Sequence, residues 1–402
     1  MKPAAWLVAC AIGTALLPAP ASAQTTPPSS DPQEVTERPH ISRATNIANK
    51  LSGPLHPVVK GVASGGGIGA GVAYDFPERR GWRTTTEAVY TINGFWSVAL
   101  NSRFDTPRAF VEPYLRLRDM SRLSFYGPGT HSLASERTHF GMRDGSVGIH
   151  GTYLISRWLR IGGRVEELWL DVSPTSSSRV PAIDTRFGER HAPGLGDQPR
   201  FGRAHAFVDV ISPAGPAGAR YQGGTTRVGY GRYADQQFDR YSFDRLDLET
   251  QQRFTLFGPH RTLTLHGWLS TTGTSAGDDV PFFLQHTLGG KGLLRSFGEY
   301  ILGSDGTDAT LRGFPTFRFR DRHLLLLQAE YRWPIWGPVD ATVFMDMGKV
   351  TSRRRDLDLS DLKRSYGFSL GVVRSTGTVG RIDVGFGGGE GVHVFFGFGR
   401  VF

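Results

Sequence analysis

The sequence predicts an all-β fold, a 16-stranded antiparallel transmembrane β-barrel in which one external loop folds inward. The chain has 402 residues, with 52 Gly, 26 Phe and 12 Tyr, a composition that favours short strands and turns because glycine weakens helices. From residue 61 onward, short segments alternate apolar and polar side chains between turn residues. After residue 24 no stretch has the roughly 18 apolar residues of a membrane helix, which excludes a helical membrane protein.

The first 23 residues have the three parts of a secretory signal peptide. Lys2 gives a positive start, residues 6–17 form an apolar core, and residues 21–23 (ASA) form a small-residue cleavage site. A lipoprotein box ending at Cys10 is the alternative, but the apolar core continues past it. Because Cys10 is the single cysteine, a mature chain starting at Gln24 would have neither a disulfide nor a thiolate site. Export of such a chain indicates the outer membrane of a Gram-negative bacterium.

The predicted organisation is a signal peptide (1–23), a disordered periplasmic tail (24–52) and an outer-membrane β-barrel (53–402). The tail is rich in Pro, Ser and Thr and cannot bury enough apolar surface to fold. Within the barrel the longest connections, 172–200 and 289–322, are interpreted as external loops. The alternation predicts sixteen strands, at about 61–75, 82–92, 94–104, 109–120, 137–155, 158–170, 201–211, 221–233, 240–252, 260–271, 281–288, 323–333, 338–348, 364–374, 379–387 and 391–402.

The alternation is clearest in the segment 338–348, where one face is uniformly apolar and the other is mixed. Val343 and Met345 lie on the apolar face, whereas Phe344 and Asp346 lie on the other. The preceding segment, 323–333, places Glu330 on its polar face. A strand between lipid and a polar lumen has this pattern, so the sequence predicts one lipid-facing and one lumen-facing side.

Aromatic residues support the membrane interpretation at two places. Tyr331, Trp333 and Trp336 cluster at the end of the strand predicted at 323–333, as aromatic residues do in the girdles at a membrane interface. The chain itself ends on Phe402, preceded at alternate positions by Phe398 and Phe396, a pattern that predicts a C-terminal insertion signal for an outer-membrane barrel. Arg400 interrupts it at a position where an apolar residue is common.

Three weaker motifs do not predict an enzyme, a cofactor or a metal site. Residues 273–277 (GTSAG) fit the nucleophile elbow, but alternating segments on both sides favour a hairpin turn over a strand–turn–helix. Gly65, Gly67 and Ala70 fit a relaxed dinucleotide fingerprint without the helix that must follow it. The twelve histidines are scattered, with no close pair for a metal ion.

One loop and two later strands carry a family resemblance. The loop reads LRGF at 311–314, followed by RFRDR at 318–322, and the strand near 344 reads FMD. With these motifs the chain resembles the BamA/TamA-type barrels of the bacterial surface antigen family, which insert or export proteins at the outer membrane. The resemblance implies that Arg312 reaches into the lumen toward Asp346, with Glu330 close by.

The same resemblance gives the full set of structural residues and two departures from the family pattern. The predicted loop–lumen motif comprises Arg312, Gly313, Phe314, Glu330, Phe344 and Asp346. A near-copy of the loop motif stands at 294–297 (LRSF). The polypeptide-transport-associated domains that precede such barrels in the family are not recognised in this sequence, so it resembles a short, barrel-only member.

The function implied by the resemblance is assistance in the insertion or translocation of protein or lipid at the outer membrane. A passive pore or structural barrel is the alternative, and an outer-membrane lipase has no recognisable site. The expected partners are outer-membrane lipid and lipopolysaccharide, the barrel-assembly machinery for the chain's own insertion, and an unknown protein or lipid client. The net charge of +9 comes from dispersed arginines without a basic stripe, so no nucleic-acid partner is expected. Glycines at 65–71 and 385–389 are expected to weaken a seam between the first and last strands.

Overall fold

A computed structural model describes residues 53–216, 218–258, 260–291, 310–374 and 377–398. The predicted signal peptide and tail, the near-copy motif at 294–297 and Phe402 lie outside the described residues. Eighteen strands are formed in these ranges: β1 (Leu55–Val59), β2 (Gly69–Asp75), β3 (Trp82–Thr91), β4 (Trp96–Asp105), β5 (Ala109–Phe125), β6 (Thr138–Ser156), β7 (Leu159–Pro174), β8 (Phe201–Ser212), β9 (Tyr221–Asp235), β10 (Phe243–Thr255), β11 (Thr262–Thr274), β12 (His286–Leu288), β13 (Phe319–Asp321), β14 (His323–Trp336), β15 (Val339–Thr351), β16 (Lys363–Arg374), β17 (Gly377–Gly387) and β18 (Val392–Phe398).

Sixteen of these strands form one antiparallel sheet, and each pairs with its neighbour in the chain. The order is β1 to β11 and then β14 to β18, because β12 and β13 pair only with each other. In the part of the chain that the structure describes, the helical elements are four 3-10 turns of three residues, at Ala134–Glu136, Ile183–Thr185, Phe282–Leu284 and Arg354–Asp356. No helix among the described residues is long and apolar enough to cross a membrane. The predicted all-β, antiparallel, 16-stranded sheet is confirmed.

Two errors in the predicted strands cancel in the total of sixteen. The segment 281–288 is not a sheet strand: it forms the 3-10 turn Phe282–Leu284 and the short strand β12. The sheet instead gains β1, which the pattern did not reveal because LHPVV is short and contains Pro57, which donates no backbone hydrogen bond. The apolar run at 281–288 imitates a buried strand because its side chains are buried among loops instead of within the wall.

The two faces of the sheet differ in the way that the alternation predicts. We call the face that carries Asp346 the inner face and the opposite one the outer face. On β15, Asp346 and Phe344 are 0% and 4% exposed, whereas Val343 and Met345 are 45% and 44% exposed. Most other strands of the sheet repeat this arrangement, with large apolar side chains exposed on their outer faces. The outer face is therefore apolar and uncovered, and the inner face is polar and covered.

The inner face is covered by loops that meet in an aromatic cluster. Phe282 lies 5.3 Å from Phe125 and 5.0 Å from Phe140, measured between ring centroids, and all three are fully buried. Thr130, in the loop between β5 and β6, exchanges two hydrogen bonds with Val350 of β15, at 2.7 and 2.8 Å. The sheet therefore curves enough to bring its early and late strands together around a packed interior.

Candidate functional site

The candidate site is the loop between β11 and β14, whose base is the hairpin formed by β12 and β13. Gly289 and Gly290 follow β12 with φ angles of 109° and 102°, a region that favours glycine. A Cβ at Gly289 would lie 2.2 Å from the carbonyl oxygen of Pro315. The backbone N–H of Gly290 donates to the carbonyl of Phe314 at 3.0 Å, which ties the outgoing and returning parts of the loop together.

The tip of the loop places Arg312 against a carboxylate of the wall. Arg312 is 0% exposed, and its Nε and Nη2 donate to Asp346 Oδ2 and Oδ1 at 2.8 and 2.6 Å. The backbone N–H of Arg312 donates to Asp346 Oδ2 at 3.1 Å. This two-pronged geometry matches the planar fork of a guanidinium, which a lysine does not have.

Further contacts surround the same guanidinium. Its Nη1 donates to Glu330 and lies 3.7 Å from Asp383 Oδ1, and its Cζ is 3.5 Å from the ring centroid of Phe344. Burial acts to lower the pKa of Arg312, but Asp346 and Glu330 outweigh it and raise the pKa above its ordinary value. Arg312 is therefore held as a cation between carboxylates from β14, β15 and β17.

The wall leaves room for the loop because small residues face it. Gly367 of β16 pairs with Gly385 of β17, and a Cβ at Gly385 would lie 2.3 Å from the carbonyl oxygen of Arg312. A Cβ at Gly387 would lie 2.4 Å from the carbonyl oxygen of Gly313. Gly313 is equally constrained, since its own Cβ would lie 2.4 Å from Ser365 Cβ. Gly385 and Gly387, which belong to the glycines predicted to weaken a seam, lie against the backbone of the loop.

Phe314 completes the tip by packing into an apolar pocket. It is 1% exposed and lies 5.2 Å from Phe319, in an edge-on arrangement. The buried residues of this cluster are Trp268, Leu288, Leu311, Phe314, Phe319, Leu324, Leu326 and Val350. The three residues at the tip thus use three kinds of contact: an ionic one, a close backbone approach and an apolar one.

The returning arm of the loop has a second buried arginine with different partners. Arg318 is 3% exposed, and its Nε donates to both oxygens of Glu390 at 3.0 and 2.7 Å. Its Nη1 and Nη2 donate to the hydroxyl and the carbonyl of Ser132 at 2.9 and 2.7 Å. Arg320 donates to the carbonyl of Phe282 at 2.8 Å. The hydrogen bonds of Arg318 thus fasten this arm to the loops that carry Ser132 and Glu390.

The segment that contains this loop matches a known protein family. Residues 223–392, which include the loop and its wall, match the model of the Omp85 superfamily domain. This part of the chain is similar to the Omp85 superfamily domain. The predicted resemblance to BamA/TamA-type barrels is thereby confirmed. A search of curated proteins finds no significant match.

Solved structures show the same fold as this chain at low sequence identity. BamA from Haemophilus ducreyi lacking POTRA domains 1–3 is 12% identical with a TM-score of 0.52, over 89% of this chain and 76% of that one. CdiB from Escherichia coli is 10% identical with a TM-score of 0.54, over 86% and 62%. CdiB from Acinetobacter baumannii is 11% identical with a TM-score of 0.52, over 83% and 57%. The chain therefore spans less than two thirds of either CdiB structure.

The structure brings the residues of the predicted loop–lumen motif together, and it describes only part of the predicted insertion signal. Arg312, Gly313, Phe314, Glu330, Phe344 and Asp346 meet at the tip of the loop. Of the predicted insertion signal, Phe396 lies on the outer face of β18 and is 55% exposed, and Phe398 is the last described residue of that strand. Phe402 lies outside the described residues, so this signal stays a prediction.

Three residues of the loop site, Arg381, Asp383 and Gln328, were not predicted from the sequence. Arg381 donates to Glu330 at 3.0 and 3.2 Å and to Asp383 at 2.8 Å. Gln328 donates to Asp346 at 3.2 Å. All three lie on the polar faces of their strands, which is the signal that could have identified them.

The weaker motifs fall in turns. β11 ends at Thr274, and the carbonyl of Ser275 then accepts a hydrogen bond from the N–H of Asp278 at 3.1 Å, so GTSAG lies at a strand end followed by a turn. Gly65 and Gly67 have positive φ angles in the turn between β1 and β2. Within the ranges that the structure describes, no group of three His, Cys, Asp or Glu residues could hold a metal ion.

Proposed function

We propose that this chain is an outer-membrane barrel of a Gram-negative bacterium that assists the insertion or translocation of protein or lipid. The observation that carries the proposal is the arginine loop locked to the inner face of β14–β17 within the segment that is similar to the Omp85 superfamily domain. In this proposal the loop is a structural brace. It holds the late strands in a fixed arrangement through Arg312, while the edges of the sheet stay free to respond to a client.

The membrane location is supported by the outer face and by the connections. Exposed apolar side chains occur on the outer faces of most strands of the sixteen-stranded sheet, as a lipid-facing wall requires. Connections at one end of the sheet are short, such as 157–158 and 337–338, whereas 175–200 and 275–322 at the other end are long. We infer that the surrounding partners are outer-membrane lipid and lipopolysaccharide, and that the barrel-assembly machinery inserts this chain.

The edges of the sheet supply a site for a client. The sheet ends on β1 with five residues and on β18 with seven, whereas β6 has 19. Among the described residues no pairing joins β1 to β18, so each of these strands has one pairing neighbour within these ranges. We propose that these two strands meet in a short seam that closes the barrel, and that a client strand or lipid competes for this seam.

A passive pore is favoured less because the interior is filled. The aromatic cluster around Phe282, together with the loop that joins Thr130 to Val350, occupies the inner side of the sheet at the end that carries the long loops. Such packing leaves little room for a water-filled path. A barrel that assists insertion, by contrast, acts at the edge of its sheet. It therefore does not require an open channel through its interior.

The experiment that tests the proposal measures insertion and conductance on the same preparation. The purified chain is placed in liposomes, and the folding rate of an unfolded outer-membrane barrel is followed by the shift in gel mobility. Faster folding than in liposomes carrying a porin, with low conductance in planar bilayers, is the expected result. Steady channels with no effect on folding rate would refute the proposal.

A further inference from the structure

A cavity of about 380 Å³ lies beside the returning arm of the loop, at the end of the sheet that carries the long loops. Its walls come from the ends of β5 and β6, from residues 177–180 of the loop that follows β7, and from residues 315–317. This volume is at the lower end of the range of small-molecule sites in proteins. The cavity is separate from the Arg312 site, since the two have no lining residue in common.

The lining of this cavity has an unbalanced charge. Arg122, Arg137 and Arg179, which are all solvent-exposed, line it, and no aspartate or glutamate does. Among the described residues these three arginines form no salt bridge, whereas Arg312 and Arg318 are both paired with carboxylates. The Nε of Arg137 donates to the hydroxyl of Ser124 at 3.3 Å, which leaves the two terminal nitrogens of its guanidinium for another acceptor.

A buried histidine lies in the same wall. His139 lines the cavity and is 5% exposed, and its Nδ1 has no hydrogen-bond partner among the described residues. This nitrogen has almost no accessible surface of its own, so recognition of a ligand rests on the arginines and the hydroxyl groups. The hydroxyl groups of Ser177 and Thr316 add further donors around the same space.

We propose that this cavity binds a phosphoryl group, either on a small sugar phosphate or on the sugar headgroup of an outer-leaflet glycolipid. A phosphoryl group carries close to two negative charges and three acceptor oxygens, which match three guanidinium groups surrounded by hydroxyl donors. Bound there, it bridges residues 315–317 to β5 and β6. The ligand thus holds the returning arm of the loop in place from the external side.

The test titrates the purified full chain, in neutral detergent, with glucose 1-phosphate and separately with micelles of a phosphorylated glucosamine glycolipid. In the double variant Arg137→Gln/Arg179→Gln, affinity is expected to fall about tenfold or more, since hydrogen bonds between charged groups are lost. The matched control is Arg220→Gln/Arg253→Gln, which removes the same charge from two exposed arginines outside the cavity. This control is expected to bind like the wild type.

The two probes distinguish the sources of the phosphoryl group. Weaker binding of both probes in Arg137→Gln/Arg179→Gln supports recognition of the group itself, and weaker binding of the glycolipid alone supports recognition on a membrane headgroup. Equal losses in the two double variants, or no saturable binding by the wild type, would overturn the inference and would leave the insertion proposal untouched.

Discussion

Arg312 and Arg318 lie six positions apart in one loop and are both buried, but they are held by different parts of the molecule. Arg312 contacts carboxylates from three strands of the wall, whereas Arg318 contacts Ser132 and Glu390, which lie in loops. The partners of Arg312 are fixed by strand pairing, because Gln328 pairs with Asp346 across β14 and β15. The loop therefore joins the late strands of the wall to neighbouring loops. We expect the contacts of Arg312 to contribute more to stability than those of Arg318, and those of Arg318 to determine how the interior is covered.

Replacing Arg312 with Ala gives the largest expected effect. Asp346 is then buried without its cation, and Glu330 keeps Arg381 alone, which costs about 3–5 kcal/mol for a broken buried pair. The barrel is expected to lose its resistance to heat in detergent, measured as the temperature at which its gel mobility changes. Arg118→Ala, which breaks a buried pair with Asp144 on β5 and β6, is the control: it lowers the same temperature without making residues 310–322 sensitive to protease.

Replacing Arg318 with Ala tests the other anchor and is expected to cost about 1.5–3 kcal/mol, the range for hydrogen bonds to charged groups. The wall keeps its own contacts, so the gel-shift temperature falls less than in Arg312→Ala. The loops around Ser132 lose a fastening, so protease cleavage and bilayer conductance are both expected to increase. Greater heat sensitivity than in Arg312→Ala would contradict the distinction between the two anchors.

A single methyl group on β17 tests the close approach of loop and wall. In Gly385→Ala the new Cβ meets the carbonyl oxygen of Arg312 at 2.3 Å, and overpacking of this kind costs about 1–3 kcal/mol. Gly380→Ala is the matched control on the same strand, since its Cβ meets only the carbonyl oxygen of Gly397, at 3.9 Å. The midpoint of urea unfolding is expected to fall in the first variant and to stay close to the wild-type value in the second.

Asp321, at the end of β13, gives the smallest effect, a dependence on pH. Burial raises the pKa of its carboxyl to about 6, although the N–H of Arg322 donates to it. The carboxyl therefore stays protonated to higher pH in the folded chain than in the unfolded chain. The free energy of unfolding is highest at low pH and falls as the pH rises through about 4 to 6. Between pH 5 and 7 the loss is about 1 kcal/mol. Asp321→Asn should remove this part of the urea midpoint's pH dependence, and an unchanged slope would exclude Asp321 as its source.

The wall was largely predictable from the sequence because its side chains alternate strictly. In 338–348 the alternation assigned Asp346 to the inner face and Val343 to the outer face, and both lie there. It could not reveal β1, whose five residues are too few to establish a period. It also could not exclude 281–288, because an apolar run buried under loops has the same composition as a buried strand.

The loop site was predictable only in part. The family motif indicated that Arg312 would approach Asp346, and the polar faces of the strands indicated Glu330. The pattern contained no information on which strands would meet the backbone of Gly313, so the role of Gly385 came from the fold alone. Side-chain alternation specifies a face, but only the register between strands specifies which residues on that face lie side by side.

The two hydrogen bonds between Thr130 and Val350 join residues that are 220 positions apart in the chain. This contact cannot form until β15 has been made and placed, so the β5–β6 loop must wait for the second half of the molecule. Long-range contacts of this kind slow folding, because the entropy of closing a large loop is lost before any contact compensates for it. During that interval the aromatic rings around Phe125 lack their final cover. A nascent chain of this design is therefore expected to keep apolar side chains exposed for longer than a barrel whose contacts are all between neighbouring strands.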